Sequence, residues 1–242
     1  MRTPRIFVEM PLRVGDTVTL PAGATRHVTQ VLRLTTDAPV LLFNGDGCDY
    51  SARLLTASRG MTQAVLDAVT TLEPLVPLEI QLALGVSKGE RMDYALQKAV
   101  ELGVTRLIPL FTARSQVRLD GERLARRWEH WRGVVIGACE QSGRRRLPQL
   151  DPAVPLAQWL EQWTDGGYLL DPLAAQALTA IPAPAASVTL LIGPEGGLSA
   201  PEREQVFARG FQGVRLGPRI LRTETAPLAA LAVLQALWGD FI

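Results

Sequence analysis

Near the C-terminus, Arg219, Arg222, Thr223, Glu224 and Thr225 crowd into one short stretch between an apolar run and a long apolar segment. This spacing puts two guanidinium groups at a strand-to-helix junction, where backbone N–H groups lack intrahelical partners. Such a place can hold an anion or a polarised carbonyl. A second junction, Leu190-Leu191-Ile192-Gly193-Pro194-Glu195-Gly196-Gly197, precedes it by about twenty residues. Two polar, glycine-bearing loops after consecutive buried strands suggest a ligand site at one edge of a sheet. The Gly193–Gly197 loop has neither the G-x-G-x-x-G spacing of a dinucleotide fingerprint nor the G-K-[ST] of a phosphate loop. It offers bare backbone that a ligand can approach closely. A tight turn capped by Ser199 accounts for the same glycines, but Glu195 in such a turn needs a partner or a cation. Arg219 and Glu224 also suit an ion-pair network over the helix start, and Thr223 reads as its N-cap.

Arginine supplies nearly all the positive charge; Lys88 and Lys98 are the only lysines, and the net charge is +1. That balance makes no case for nucleic acid, but its distribution does. Arg123, Arg126, Arg127 and Arg132 cluster ahead of Arg144-Arg145-Arg146, which follows the end of a predicted helix. Cations there suit the helix dipole, yet three in a row exceed that need and point to phosphate. His27 and His130 lack the spacing of a metal pair, so no metal is expected, and no Ser-His-Asp set is legible. The only cysteines, Cys48 and Cys139, belong to no cluster, which suits a reducing cytoplasm. No apolar run reaches membrane-span length, and Arg2, Arg5 and Glu9 place charge too early for a signal peptide. Trp128, Trp131, Trp159, Trp163 and Trp238 have core-like helical spacing and read as packing.

The elements that position these groups form two regions. Residues 1–72 read as short strands at 14–20, 40–43, 49–55 and 64–69, with one short helix at 26–34, which predicts a small β-barrel. Pro74 and Pro77 then mark a stiff linker. Beyond it, strands at 78–86, 106–111, 167–170, 188–192 and 214–216 alternate with helices. The helices are a first one carrying Met92–Leu102, then 120–141, 156–163, 201–209 and 226–238. This pattern predicts an α/β fold with a mainly parallel sheet covered on both faces. Ser87-Lys88-Gly89-Glu90 and Ser199-Ala200-Pro201-Glu202 read as capping boxes. The alanine- and proline-rich stretch 174–186 reads as a surface connection.

Ser87-Lys88-Gly89-Glu90-Arg91-Met92-Asp93, Gln97-Lys98-Ala99, Glu101-Leu102-Gly103, Glu140–Arg144, Gly193–Gly197 and Leu216–Ala226 together resemble the RsmE family of 16S ribosomal RNA uridine-N3 methyltransferases. Arg5-Ile6-Phe7 and His27–Arg33 extend the resemblance, more loosely, to the N-terminal part. The resemblance implies a PUA-like β-barrel RNA-binding domain at 1–72 and a SPOUT methyltransferase domain with a C-terminal trefoil knot at 73–242. It implies a homodimer that binds S-adenosylmethionine and acts on the assembled small ribosomal subunit. Cofactor contacts would come from Leu170, Asp171, Ile192, Gly193, Pro194, Glu195, Gly196, Gly197, Leu216, Gly217, Arg219, Ile220, Leu221 and Thr225. RNA contacts would come from Arg5, Arg26, Arg33, Lys88, Arg91, Arg144, Arg145 and Arg146.

Uridine N3 carries a proton at neutral pH, so either a base removes it or a cation stabilises the resulting anion. Arg222 is assigned the cationic role, with Arg5 contributing and Glu195 orienting Arg222 or acting near the base. Competing readings are a methyltransferase for another RNA base, a non-catalytic RNA-binding module, and a nucleotide hydrolase; the last is disfavoured because the Gly193–Gly197 loop has no lysine.

Overall fold

A computed structural model describes residues 3–58, 60–117 and 119–241, which form two compact units. One comprises Met1–Leu75 with Cys139–Leu147, the other Val76–Ala138 with Pro148–Ile242. The chain first passes between them inside the Pro74–Pro77 linker, and returns to the first unit for Cys139–Leu147. The sequence alone assigns Cys139–Leu147 to the second region. The structure gives it to the first because that unit's side chains take its backbone groups: Arg5 donates to the carbonyls of Cys139 and Arg144, and Glu73 accepts from the amides of Arg145 and Arg146.

The first unit holds β1 (Arg5–Phe7), β2 (Thr17–Thr19), α1 (Ala22–Arg26), β3 (Pro39–Phe43), β4 (Cys48–Ala57) and β5 (Thr62–Leu72). Its five-stranded sheet runs β1-β3-β4-β5-β2, parallel between β1 and β3 and antiparallel elsewhere. Alternation buries Ile6, Val40, Leu42, Leu54, Ala64 and Leu66 on one face. Register shifts along β4–β5, one of them at Asp49/Tyr50, add the bulges that bend such a pair. The expected strand at 14–20 shrinks to Thr17–Thr19, with Gly15 ahead of it at φ +90°. The helix expected at 26–34 begins earlier, at Ala22, and continues as a π-turn over His27–Val31. Arg33, at φ 54°, then turns the chain out of it.

The second unit runs β6 (Glu79–Gly85), α2 (Glu90–Glu101), β7 (Arg106–Phe111), α3 (Gly121–Ser142, its last turn counted in the first unit), β8 (Gln149–Leu150), β9 (Val154–Pro155), α4 (Leu156–Gln162), β10 (Gly167–Leu170), β11 (Gln176–Ala177), β12 (Ser187–Ile192), α5 (Ala200–Ala208), β13 (Phe211–Arg215) and α6 (Thr225–Trp238). Its strands lie in the order β11-β13-β10-β12-β6-β7-β8, all parallel, with β9 beside β7. The fold is therefore mixed α/β with a parallel sheet. Central strands are mainly apolar because both faces are covered: Ile80, Leu82, Leu84, Leu107, Leu110, Leu190 and Leu191 are buried. Trp131, Trp159 and Trp163 are core residues, and Trp159 stacks on Trp163 with centroids 4.8 Å apart. Within the stretch read as a surface connection, Leu178 and Ile181 are buried and β11 extends the sheet.

The Ser199–Glu202 capping box forms with both reciprocal bonds. The expected Ser87–Glu90 box does not. Gly89, at φ +65°, is the N-cap of α2, and the Ser87 hydroxyl points to Thr223 and the Gly85 carbonyl instead. Thr223 likewise is not the N-cap of α6; Glu224 holds that position, without a side-chain cap bond.

Candidate functional site

In a parallel α/β sheet, ligands bind beyond the carboxyl ends of the strands. There, loops after the neighbouring strands β13, β10 and β12 enclose a cavity of about 500 Å³. Leu170, Asp171 and Pro172 line it from β10, Ile192 to Gly197 from β12, and Leu216, Gly217 and Arg219 to Glu224 from the segment after β13. Arg91 and Ala226 complete the lining. Among the residues expected at the cofactor, Thr225 does not line the cavity: it is exposed at the start of α6, and the next residue, Ala226, faces inward instead.

The glycines have local reasons. A Cβ on Gly193 would stand 3.1 Å from the Gly197 backbone, and one on Gly85 would stand 2.5 Å from Pro194. Gly197 and Gly217 adopt φ +65° and +95°, which other residues rarely reach. These positions keep the β12 loop folded tightly over the end of β6, with its backbone facing the cavity.

Charges around the cavity are paired across long sequence distances. Glu195 Oε1 accepts from the Lys88 amide at 3.2 Å and from Arg91 Nη1 at 3.1 Å. Burial alone would raise the Glu195 carboxyl, but the amides of Glu195 and Lys88 and the Arg91 guanidinium outweigh it and hold it below the ordinary carboxylate value. Glu195 therefore orders Arg91 rather than Arg222. Asp171 accepts from Arg203 at 2.6 Å and from the Leu173 amide at 3.0 Å. The Arg203 bond, against the opposing effect of burial, holds its carboxyl below the usual range. Arg114, which sequence reasoning missed because its loop carries no motif, donates to the Gly196 carbonyl at 2.8 Å.

Arg222 and Arg219 are exposed cavity-lining residues and make no ion pair among the described residues. Lys88 is exposed on the loop before α2, and Arg26 and Arg33 are exposed on the first unit.

Arg5, Arg144, Arg145 and Arg146 have different surroundings from those expected. Arg5 is 7% exposed inside the first unit. Its guanidinium donates to Asp49 Oδ1 at 2.9 Å and to the Cys139 carbonyl at 2.6 Å, and lies over the Phe43 ring at 4.4 Å. With its donors so occupied, it holds that unit together and is not available to a reacting base. Arg145 Nε pairs with Asp49 Oδ2 at 2.7 Å, Arg144 Nε approaches Glu73 at 4.0 Å, and the Arg146 guanidinium packs against Gly47. All three are half-buried, so they are not the solvated phosphate clamp that their run suggested. Among the described residues no group of three or more His, Cys, Asp or Glu could hold a metal, and no helix is long and apolar enough to cross a membrane.

Residues 74–235 match the family model of the RNA methyltransferase domain. The chain is 31% identical to the ribosomal RNA small subunit methyltransferase E of Buchnera aphidicola (subsp. Schizaphis graminum), over 99% of this chain and 98% of that relative. Its structure is similar to that of the ribosomal RNA small subunit methyltransferase E of Neisseria gonorrhoeae, solved bound to S-adenosylmethionine, with a TM-score of 0.95, 42% identity and 100% of both chains covered. A Legionella pneumophila protein solved with the same cofactor gives a TM-score of 0.95 at 38% identity, again over 100% of both chains.

Proposed function

The chain belongs to the RNA methyltransferase family of the ribosomal RNA small subunit methyltransferases E, and from that premise we propose that it methylates N3 of a specific uridine in the decoding region of 16S ribosomal RNA. The methyl donor is S-adenosylmethionine and the substrate is the assembled small subunit. The observation that carries this reading is the cavity formed by the three loops beyond β13, β10 and β12.

The residues there suit such a donor. The cavity volume of about 500 Å³ is that of a small-molecule site. Gly193 and Gly197 leave backbone groups bare for a nucleoside, and Leu170, Ile192 and Leu221 supply apolar wall. When bound, the donor presents a methyl group on a positively charged sulfur.

The chain's own groups then have three tasks. The apolar wall excludes water from the transfer path. Arg222, at the rim, stabilises the negative charge that spreads over the uridine carbonyls as N3 loses its proton to solvent, before the methyl group takes the proton's place. Glu195, bound to Arg91 and the Lys88 amide, keeps the β12 loop joined to the start of α2 at that rim. Arg26, Arg33, Lys88 and Arg91 contact RNA phosphates. In this reading the first unit is a PUA-like barrel, the second a SPOUT domain whose cavity loops close a trefoil knot, and the working form is a homodimer. The close approach of Gly85 to Pro194 supports the tight crossing that a knot requires.

The test is incubation with labelled S-adenosylmethionine and small subunits from a strain lacking this modification, followed by mapping of the label. Label at N3 of one decoding-region uridine is expected. Label elsewhere would assign the enzyme a different RNA target, and absence of cofactor binding would overturn the reading. Arg222→Ala with normal RNA binding and full turnover would remove Arg222 from its role.

A further inference from the structure

Thr223 is the residue next to Arg222, and it is 9% exposed. Its hydroxyl lies 3.2 Å from the Gly193 carbonyl and 3.3 Å from the Ser87 hydroxyl, which is itself 5% exposed and 3.4 Å from the Gly85 carbonyl. A carbonyl only accepts, so the contact to Gly193 takes the Thr223 hydrogen and the contact to Gly85 takes the Ser87 hydrogen; the single hydrogen of each hydroxyl is shared with the contact between them. Thr223 thereby joins three segments: the end of β6, the β12 loop that lines the cavity, and the segment that carries Arg222 into α6. The Arg222 carbonyl itself accepts from the amides of Thr225 and Ala226, both at 2.9 Å. The Arg222 backbone is thus anchored at its carbonyl and at the residue that follows, while its side chain is exposed at the cavity rim with no ion-pair partner among the described residues.

We propose that Thr223 is a positioning residue for methyl transfer: its hydroxyl sets where the Arg222 guanidinium stands relative to the β12 cavity loop. This rests on the reading that Arg222 stabilises the uridine anion. The requirement is for the hydroxyl and not only for the volume. A β-branched side chain without oxygen would fill the same space, yet it would leave the Gly193 carbonyl without its donor and break the Ser87 contact that ties this segment to the end of β6.

Thr223→Val and Thr223→Ser separate these contributions, with small ribosomal subunits as substrate. Kinetics, S-adenosylmethionine binding by calorimetry and thermal melting are measured on each. Thr223→Val is expected to lower kcat by about 10–100-fold while KM for the subunit changes by less than about twofold, and Thr223→Ser is expected to recover most of kcat. The rise of kcat with pH should also shift to higher pH in Thr223→Val, because a displaced Arg222 favours the uridine anion less. Unchanged kcat in Thr223→Val would overturn the proposal. So would a loss of kcat matched by lost melting temperature and lost cofactor binding, without recovery in Thr223→Ser. Arg222→Ala separates the two levels. An inactive Arg222→Ala beside a fully active Thr223→Val would refute only the role of Thr223, whereas a fully active Arg222→Ala would refute the Arg222 reading from which it proceeds.

Discussion

Replacing Arg5 by alanine should damage the fold of the first unit and leave the chemistry of the folded protein intact. Asp49, 1% exposed, is held by Arg5 at 2.9 Å and by Arg145 at 2.7 Å. Removing one cation strands part of a buried carboxylate and also takes one donor from each of the carbonyls of Cys139 and Arg144. Breaking a buried ion pair from one side costs about 3–5 kcal/mol. Arg145 keeps part of the pairing, so about 3 kcal/mol is the expected loss. In a chain of this size that lowers the melting temperature by roughly 6–12 °C. Differential scanning calorimetry reads the shift, and turnover measured well below both transitions reads the chemistry. The double variant Arg5→Met, Asp49→Leu should recover part of the lost stability, since no carboxylate is then stranded, and only part, because half-buried Arg145 loses its partner. An Arg5→Ala protein that melted normally but lost turnover would refute this reasoning and return Arg5 to the reaction site.

Gly85→Ala should weaken cofactor binding at least about tenfold, because the new methyl would stand 2.5 Å from the Pro194 ring and backbone, which cannot yield as a flexible side chain does. Gly133→Ala, with nothing within 4 Å, is the control, and calorimetric titration with S-adenosylmethionine separates the two. Tyr50 donates to Asp46 Oδ2 at 2.7 Å, and its phenol is pushed from 10.0 to about 12 by that bond, with burial and the Asp46 charge adding to it. The bond's stabilisation is complete below pH 10.0 and fades as pH rises through about 12; an ultraviolet titration of Asp46→Asn should show one tyrosine ionising earlier. Asp171 ionises below its ordinary 3.8, so its stabilisation is present above that value and is lost as pH falls through the lowered one. Arg203→Ala should therefore melt like the parent in strong acid and less stably near neutrality, as followed by circular dichroism. Burial pushes the Cys139 thiol up to about 11, so it should resist alkylation in the native protein and react only on unfolding, which mass spectrometry of the labelled peptide would show.

Features set by neighbours along the chain were legible before the fold, and features set by partners across it were not. The strands β6, β7, β10 and β12 stand within a residue or so of their expected bounds because burial on both faces leaves a mainly apolar run. β8, β9 and β11 have two residues each, too few for any period to register. The Ser199 capping box is legible because its partner lies three residues on. The Ser87 box has the same pattern and fails because Ser87 finds a hydroxyl 136 residues away. The glycine loops of the cavity follow the same rule, since bare backbone after a buried strand is a local property. Charges obey the opposite rule. Arg5 meets Asp49 44 residues on, and Glu195 meets Arg91 104 residues back. A run such as Arg144-Arg145-Arg146 reads as one anion site only until Glu73 and Asp49 occupy it. Pairing therefore acts as a filter on an arginine-rich chain. The cations that remain exposed and without an ion pair among the described residues include Arg26, Arg33, Lys88, Arg219 and Arg222. Neutralising Arg26 and Arg33 should make RNA affinity less dependent on salt, whereas neutralising Arg145 should lower stability and leave that dependence almost unchanged.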